Sequence, residues 1–130
     1  MGIEKILVPV DFTPASDAAL DYALTMADAC GAEVEVLHVW SPNALLSPVE
    51  HVIFADTPEG VAMERRLSAA ECDHPARVCG RLEFGEEPSQ VILAILHRER
   101  FDLVVMGLDG HVSSLVSRTA PCKVVALRAA

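Results

Sequence analysis

The sequence predicts an α/β domain built on a parallel sheet, and two patterns carry that prediction. Short apolar runs rich in Val, Ile and Leu alternate five times with longer segments of helical period. Three of those segments open on proline, two after a threonine that can cap the helix, Thr13-Pro14 and Thr57-Pro58, and one after acids that suit the helix dipole, Glu86-Glu87-Pro88. Strand–helix alternation of this kind makes the crossovers right-handed, with helices on both faces of an open five-stranded sheet.

The first strand lies in the stretch from Ile3 to Phe12. Ile6, Leu7, Val8 and Val10 are too few for a helix and suit a strand covered on both faces. Asp11 follows, then Thr13 as a cap and Pro14 at the first helical position. Ligands of parallel α/β sheets sit at the carboxyl ends of strands, so topology puts Asp11 at the mouth of any site. Helix 1 runs from about Pro14 to Cys30, with an apolar face predicted at Ala18, Ala19, Tyr22, Ala23, Met26, Ala27 and Cys30. Gly31 supplies a left-handed stop. Strand 2 is about Glu33 to Trp40. Ser41 to Ala55, with Pro42 and Pro48, reads as an apolar loop over the sheet edge that packs down or meets a partner.

Helix 2 opens at Asp56 or Thr57 and stops at Asp73-His74-Pro75, with Met63, Leu67 and Ala70 buried. Strand 3, about Arg77 to Phe84, alternates as an edge strand should. Glu86-Glu87-Pro88 opens helix 3, whose Val91, Ile92, Ile95 and Leu96 face the sheet. Asp102 to Gly107 is strand 4 and Gly107 to Gly110 a turn. Helix 4 runs from about His111 to Arg118, and Cys122 to Leu127 is strand 5.

Bulk properties narrow the function. The 130 residues fit one domain, and 52% hydrophobic residues build its core without staples. A net charge of −9 argues against nucleic acid and anionic lipid as partners. Nothing approaches a membrane span or a signal peptide, and the scattered Cys30, Cys72, Cys79 and Cys122 suit a reducing cytoplasm. Cys72, His74 and Cys79 lack the spacing of a zinc site. No nucleophile–base pair can be argued from residue order, so no catalytic residue is assigned.

With these elements in order, the chain resembles the universal stress protein family over nearly its whole length. The resemblance rests on Ile6-Leu7-Val8-Pro9-Val10-Asp11-Phe12, Leu37-His38-Val39, Gly85 with Pro88, Asp102-Leu103-Val104-Val105-Met106-Gly107 and Ala120-Pro121-Cys122. It implies a Rossmann-like sheet of order 3-2-1-4-5. It also implies a homodimer through strand 5, by Lys123, Val124, Val125, Ala126 and Leu127. ATP-binding members resemble this chain at Pro9, Asp11 and Val39 on the adenine and ribose side, and at Met106, Gly107 and Gly110 after strand 4. Their signature continues through nine residues to a third glycine and Ser or Thr. Here Ala120 stands at the third glycine's position. Aligning back from Ala120-Pro121-Cys122 instead puts Gly110 there, with His111 for the Ser or Thr and about ten residues of loop missing.

A phosphate loop works by aiming several backbone N–H groups at one anion. Losing such charge-assisted bonds costs roughly 1.5–3 kcal/mol each. Repulsion from Asp109 adds about 1 kcal/mol at water-like screening. The sequence therefore predicts a dimeric module acting through protein contacts with little or no ATP affinity. The alternative is an ATP- or AMP-binding member of the family, a nucleotide sensor or slow ATPase. Asp11 reads equally as a ribose ligand or as a carboxylate fixing the turn. Gly107 and Gly110 read as turn glycines taking positive φ, His111 as a solvated side chain and His38 as a scaffold residue.

Overall fold

The computed structural model describes residues 2–41, 54–108 and 111–129. Residues 42–53 of the expected apolar loop, together with Asp109 and Gly110, lie outside these.

The chain opens with β1 (Lys5–Pro9), and α1 (Pro14–Cys30) follows. Thr13 caps α1 by accepting the Ser16 N–H on its hydroxyl, and Gly31 ends the helix at φ 75°. β2 (Glu33–Trp40) comes next. A single 3₁₀ turn at Phe54–Asp56 leads into α2 (Pro58–Asp73), capped by Thr57. β3 (Arg77–Phe84), α3 (Pro88–Arg98), β4 (Leu103–Gly107), α4 (His111–Thr119) and β5 (Lys123–Leu127) complete the alternation. The five strands lie in the order β3-β2-β1-β4-β5, and each pairing is parallel. Each helix returns the chain to the same end of the sheet, so all carboxyl ends of the strands gather along one edge.

Alternation along the strands splits the core in two. Ile6, Val8, Val34 and Val36 face α1 and α2, where they meet Ala19, Ala23 and Met63. Leu7, Leu37 and Val104 face α3 and α4, where they meet Ile92, Ile95 and Val116. At the far end of the sheet, Asp102 Oδ2 accepts the N–H groups of Glu4 at 2.9 Å and Lys5 at 3.1 Å, which fixes the start of β1 beside β4. These two backbone donors hold the Asp102 carboxyl below its ordinary value against the opposing effect of burial.

Two expectations about helices are corrected. The buried face of α1 is Ser16, Ala19, Leu20, Ala23, Leu24 and Ala27. Tyr22 is 40% exposed and Cys30 is exposed, so the true stripe is rotated by about one position. An alanine-rich helix carries little contrast between faces, and the large Leu20 and Leu24 decide the matter by filling the sheet-facing groove. In α3 the acids Glu86 and Glu87 precede the first helical residue, and Glu87 makes no side-chain cap bond.

Beyond β1, the sheet face shared with α3 becomes charged. Arg81 on β3 reaches Glu99 at 2.7 Å, Glu83 at 3.0 Å and Glu35 on β2 at 3.7 Å. One Glu35 oxygen is buried without a hydrogen-bond partner. The nearby Cys79 thiol is pushed up, first by burial and then by Glu35 and Glu33. Among the described residues no helix is long and apolar enough to cross a membrane.

Candidate functional site

The carboxyl edge of the sheet opens into a cavity of about 140 Å³ where β1 and β4 diverge. This is the switch point of the topology, because the chain leaves β1 toward β2 on one side and enters β4 on the other. Pro9 and Asp11 at the end of β1 and Val39 on β2 line it. Met106 and Gly107 at the end of β4 form the opposite wall. The structure thus brings together five of the six residues singled out from the sequence, and Gly110 lies outside the described residues. Val10, Leu37 and His38 also line it, and three helix starts add Ser16 of α1, Pro88 and Ile92 of α3, and Val112 of α4. None of these four was foreseen. They come from segments far apart in sequence, and only the docking of each helix on the sheet reveals them.

Asp11 organises the β1–α1 turn. Its Oδ1 accepts the Thr13 hydroxyl at 2.6 Å and the Thr13 N–H at 3.1 Å. Its own N–H donates to Ser16 Oγ at 3.1 Å. The turn-fixing role is therefore satisfied by one carboxylate oxygen. Between Asp11 and Thr13, Phe12 adopts φ 66°, a left-handed backbone that is strained for a bulky residue. Its ring rests on His38 at 4.7 Å and beneath the Arg66 guanidinium at 5.0 Å. Arg66 in turn grips Asp17 through two bonds of 2.6 and 3.0 Å, tying α2 to α1. His38 is buried with Nδ1 2.9 Å from the Val10 carbonyl oxygen, so Nδ1 carries a proton and donates it there. Its scaffold role is apparent, since it pins β2 to the end of β1.

Gly107 corrects a sequence expectation. Gly31 is the only glycine among the described residues with positive φ, so Gly107 takes no left-handed turn. A Cβ at Gly107 would lie 2.8 Å from Ser16 N and 2.9 Å from the Ala15 carbonyl carbon. The glycine is required because the α1 backbone crosses directly over the end of β4. His111 is exposed at the start of α4.

The match to a family model decides the kinship: that of the universal stress protein family covers residues 2–128. The chain belongs to the universal stress protein family. Solved universal stress proteins share the fold end to end. One in complex with cAMP is 17% identical with full coverage of both chains and a TM-score of 0.81. One from Archaeoglobus fulgidus in complex with dAMP is 21% identical, covering 98% of this chain and 99% of that one, with a TM-score of 0.75. A family protein from Arabidopsis thaliana with AMP bound is 20% identical, covering 98% and 92%, with a TM-score of 0.72. At these identities the likeness is one of fold. In this universal stress protein the cavity is apolar for most of its wall, and among the described residues Asp11 is its one carboxylate. Among the described residues no Lys or Arg lines it.

Proposed function

We propose that this universal stress protein is a non-catalytic stress-response module whose switch-point pocket takes an adenosine monophosphate-type ligand rather than ATP. The observation that carries the reading is the three-residue connection from Gly107 to His111 beside a small, largely apolar pocket with no Lys or Arg among its described lining residues. The volume of about 140 Å³ is well under the roughly 300–1,000 Å³ of sites that enclose a whole drug-sized ligand. A planar base fits between Pro9, Val39 and Met106, and Asp11 offers an acceptor to a ribose hydroxyl. The start of α4, which lines the pocket through Val112, offers helix-end donors to one phosphate. Three residues are too few to fold around a triphosphate, and among the described residues no Lys or Arg at the pocket offsets its charge. Complexes of family members with cAMP, dAMP and AMP, one phosphate each, support the same choice.

The reading predicts that millimolar AMP raises Tm by several degrees and that ATP–Mg²⁺ does not, measured by differential scanning fluorimetry. A larger rise with ATP–Mg²⁺ than with AMP would remove the proposal. Mass spectrometry of small molecules released from freshly denatured protein gives a second test, with a nucleoside triphosphate as the contrary finding.

The output of the module is protein contact, beginning with a second copy of the chain. Among the described residues β5 has a neighbour on one side only, and its half-buried Val124, Val125, Ala126 and Leu127 leave apolar surface along the sheet edge. Pairing with a symmetry mate covers both the open backbone groups and these side chains. Light scattering at micromolar protein should give about twice the 14.0 kDa chain mass. A value matching one chain contradicts the dimer. The four thiols suit a cytoplasmic setting.

A further inference from the structure

We propose that the Ser16 hydroxyl is the hydrogen-bond donor that reads an acceptor atom of the ligand on the floor of this pocket. The inference rests on the adenosine-type reading above and deepens it by naming a specificity-determining residue.

Ser16 lines the cavity yet is only 2% exposed. Its oxygen already accepts the Asp11 N–H at 3.1 Å. Its own backbone N–H donates to the Thr13 hydroxyl at 3.2 Å. Among the described residues the Ser16 O–H itself donates to nothing. Two strand-end carbonyls of residues that line the same cavity are already engaged, Val10 O by His38 Nδ1 and Leu37 O by the Val10 N–H at 2.7 Å. A buried hydroxyl proton without an acceptor is a cost that a bound ligand removes. The donor is also held in place, because the Ser16 backbone lies against Gly107, where even a Cβ would come within 2.8 Å of its nitrogen. Such a donor needs no reorganisation when the ligand arrives.

The chemistry around Ser16 makes it discriminating. Ile92, Met106 and Val112 offer no side-chain donor to a ring nitrogen, Asp11 offers only acceptors, and the His38 Nδ1 proton is given to the Val10 carbonyl. A ligand that presents its hydroxyls to Asp11 and a lone pair to Ser16 satisfies both. A site built to hydrogen-bond a particular atom rejects the analogue that lacks it, because the buried partner is then left unpaired.

The test is isothermal titration of adenosine, its 1-, 3- and 7-deaza analogues, and 2′- and 3′-deoxyadenosine into the wild type, Ser16→Ala and Ser16→Cys. In the wild type, one analogue should bind about threefold to tenfold more weakly than adenosine. Ser16→Ala should lose the same factor toward adenosine and lose nothing further with that one analogue. Ser16→Cys, with similar volume and a weaker donor, should fall between them, and it carries the same comparison if the alanine variant does not fold. Adenosine binding undiminished in both variants overturns the role of Ser16 alone. A loss that is uniform across all the analogues also overturns it, since a purely structural part for Ser16 would act that way. A wild type that binds neither adenosine nor AMP overturns the pocket reading and this inference together.

Discussion

Replacing Gly107 by alanine should lower stability by about 2–3 kcal/mol and Tm by roughly 8–12 °C. The added methyl has three neighbours at 3.0 Å or less, two of them backbone atoms of α1. Backbone cannot rotate aside as a flexible side chain can, so either α1 lifts from β4 or β4 bends. Both movements open the core around Ala19 and Val105, which are fully buried. Thermal unfolding followed by circular dichroism measures the effect. A Tm within 2 °C of wild type would contradict the close-approach account and restore the reading of Gly107 as a turn residue. A consequence for experiment follows: Gly107 variants report on folding first, and ligand binding is better probed through Ser16.

Replacing Arg81 by leucine should produce the other large loss. The guanidinium holds Glu35, Glu83 and Glu99 together on the open part of the sheet face. Removing it leaves three carboxylates on adjoining segments with no shared cation. Breaking a fully buried pair costs roughly 3–5 kcal/mol. Glu83 and Glu99 are each about one-third exposed, and solvent screening reduces the expected cost here to about 2 kcal/mol. The effect should also depend on pH. The Arg81 hydrogen bond holds the Glu99 carboxyl below its ordinary value of 4.5, against the opposing effect of burial. A carboxyl depressed in the folded state contributes stability that is fully present above its unfolded value and is lost as pH falls through the folded one. The gap between wild type and Arg81→Leu should therefore be full at pH 7 and narrow at about pH 3. Urea unfolding at the two pH values measures it. A gap that widens on acidification would contradict the assignment.

The features legible in the sequence are those set by neighbours a few residues away. Thr13 with Pro14 and Thr57 with Pro58 mark helix starts because the cap bond spans three residues, to Ser16 and Gly60. Gly31 marks a stop because its left-handed backbone is a local demand. The strand order is a longer-range property, and it became readable only through the resemblance carried by several motifs in register. Asp11 was placed at the cleft for a topological reason, at the carboxyl end of the first strand, whereas Pro9, Val39, Met106 and Gly107 came from the family resemblance; all five line the cavity.

The parts not legible depend on how distant segments meet. Gly107 looked like a turn residue because the crossing of α1 over β4 leaves no trace in the local sequence. Ser16 sat unnoticed one position beyond the face first drawn on α1, although its spacing from Ala19 and Ala23 would have placed it on the buried stripe. Arg81 was read as part of a simple edge-strand alternation. Its three carboxylate partners come from β2, from β3 itself and from the residue that ends α3. Phe12 carried no warning of positive φ, because the residues that hold its ring, His38 on β2 and Arg66 on α2, are distant in sequence.

Selectivity for phosphate number is the most direct test of the account, measured by titrating adenosine, AMP, ADP and ATP–Mg²⁺ calorimetrically into the same preparation. The predicted result is saturable binding of adenosine and AMP, with affinity that falls as the second and third phosphates are added. ATP–Mg²⁺ bound tenfold or more tightly than AMP, a gain of about 1.4 kcal/mol from the polyphosphate tail, would contradict it.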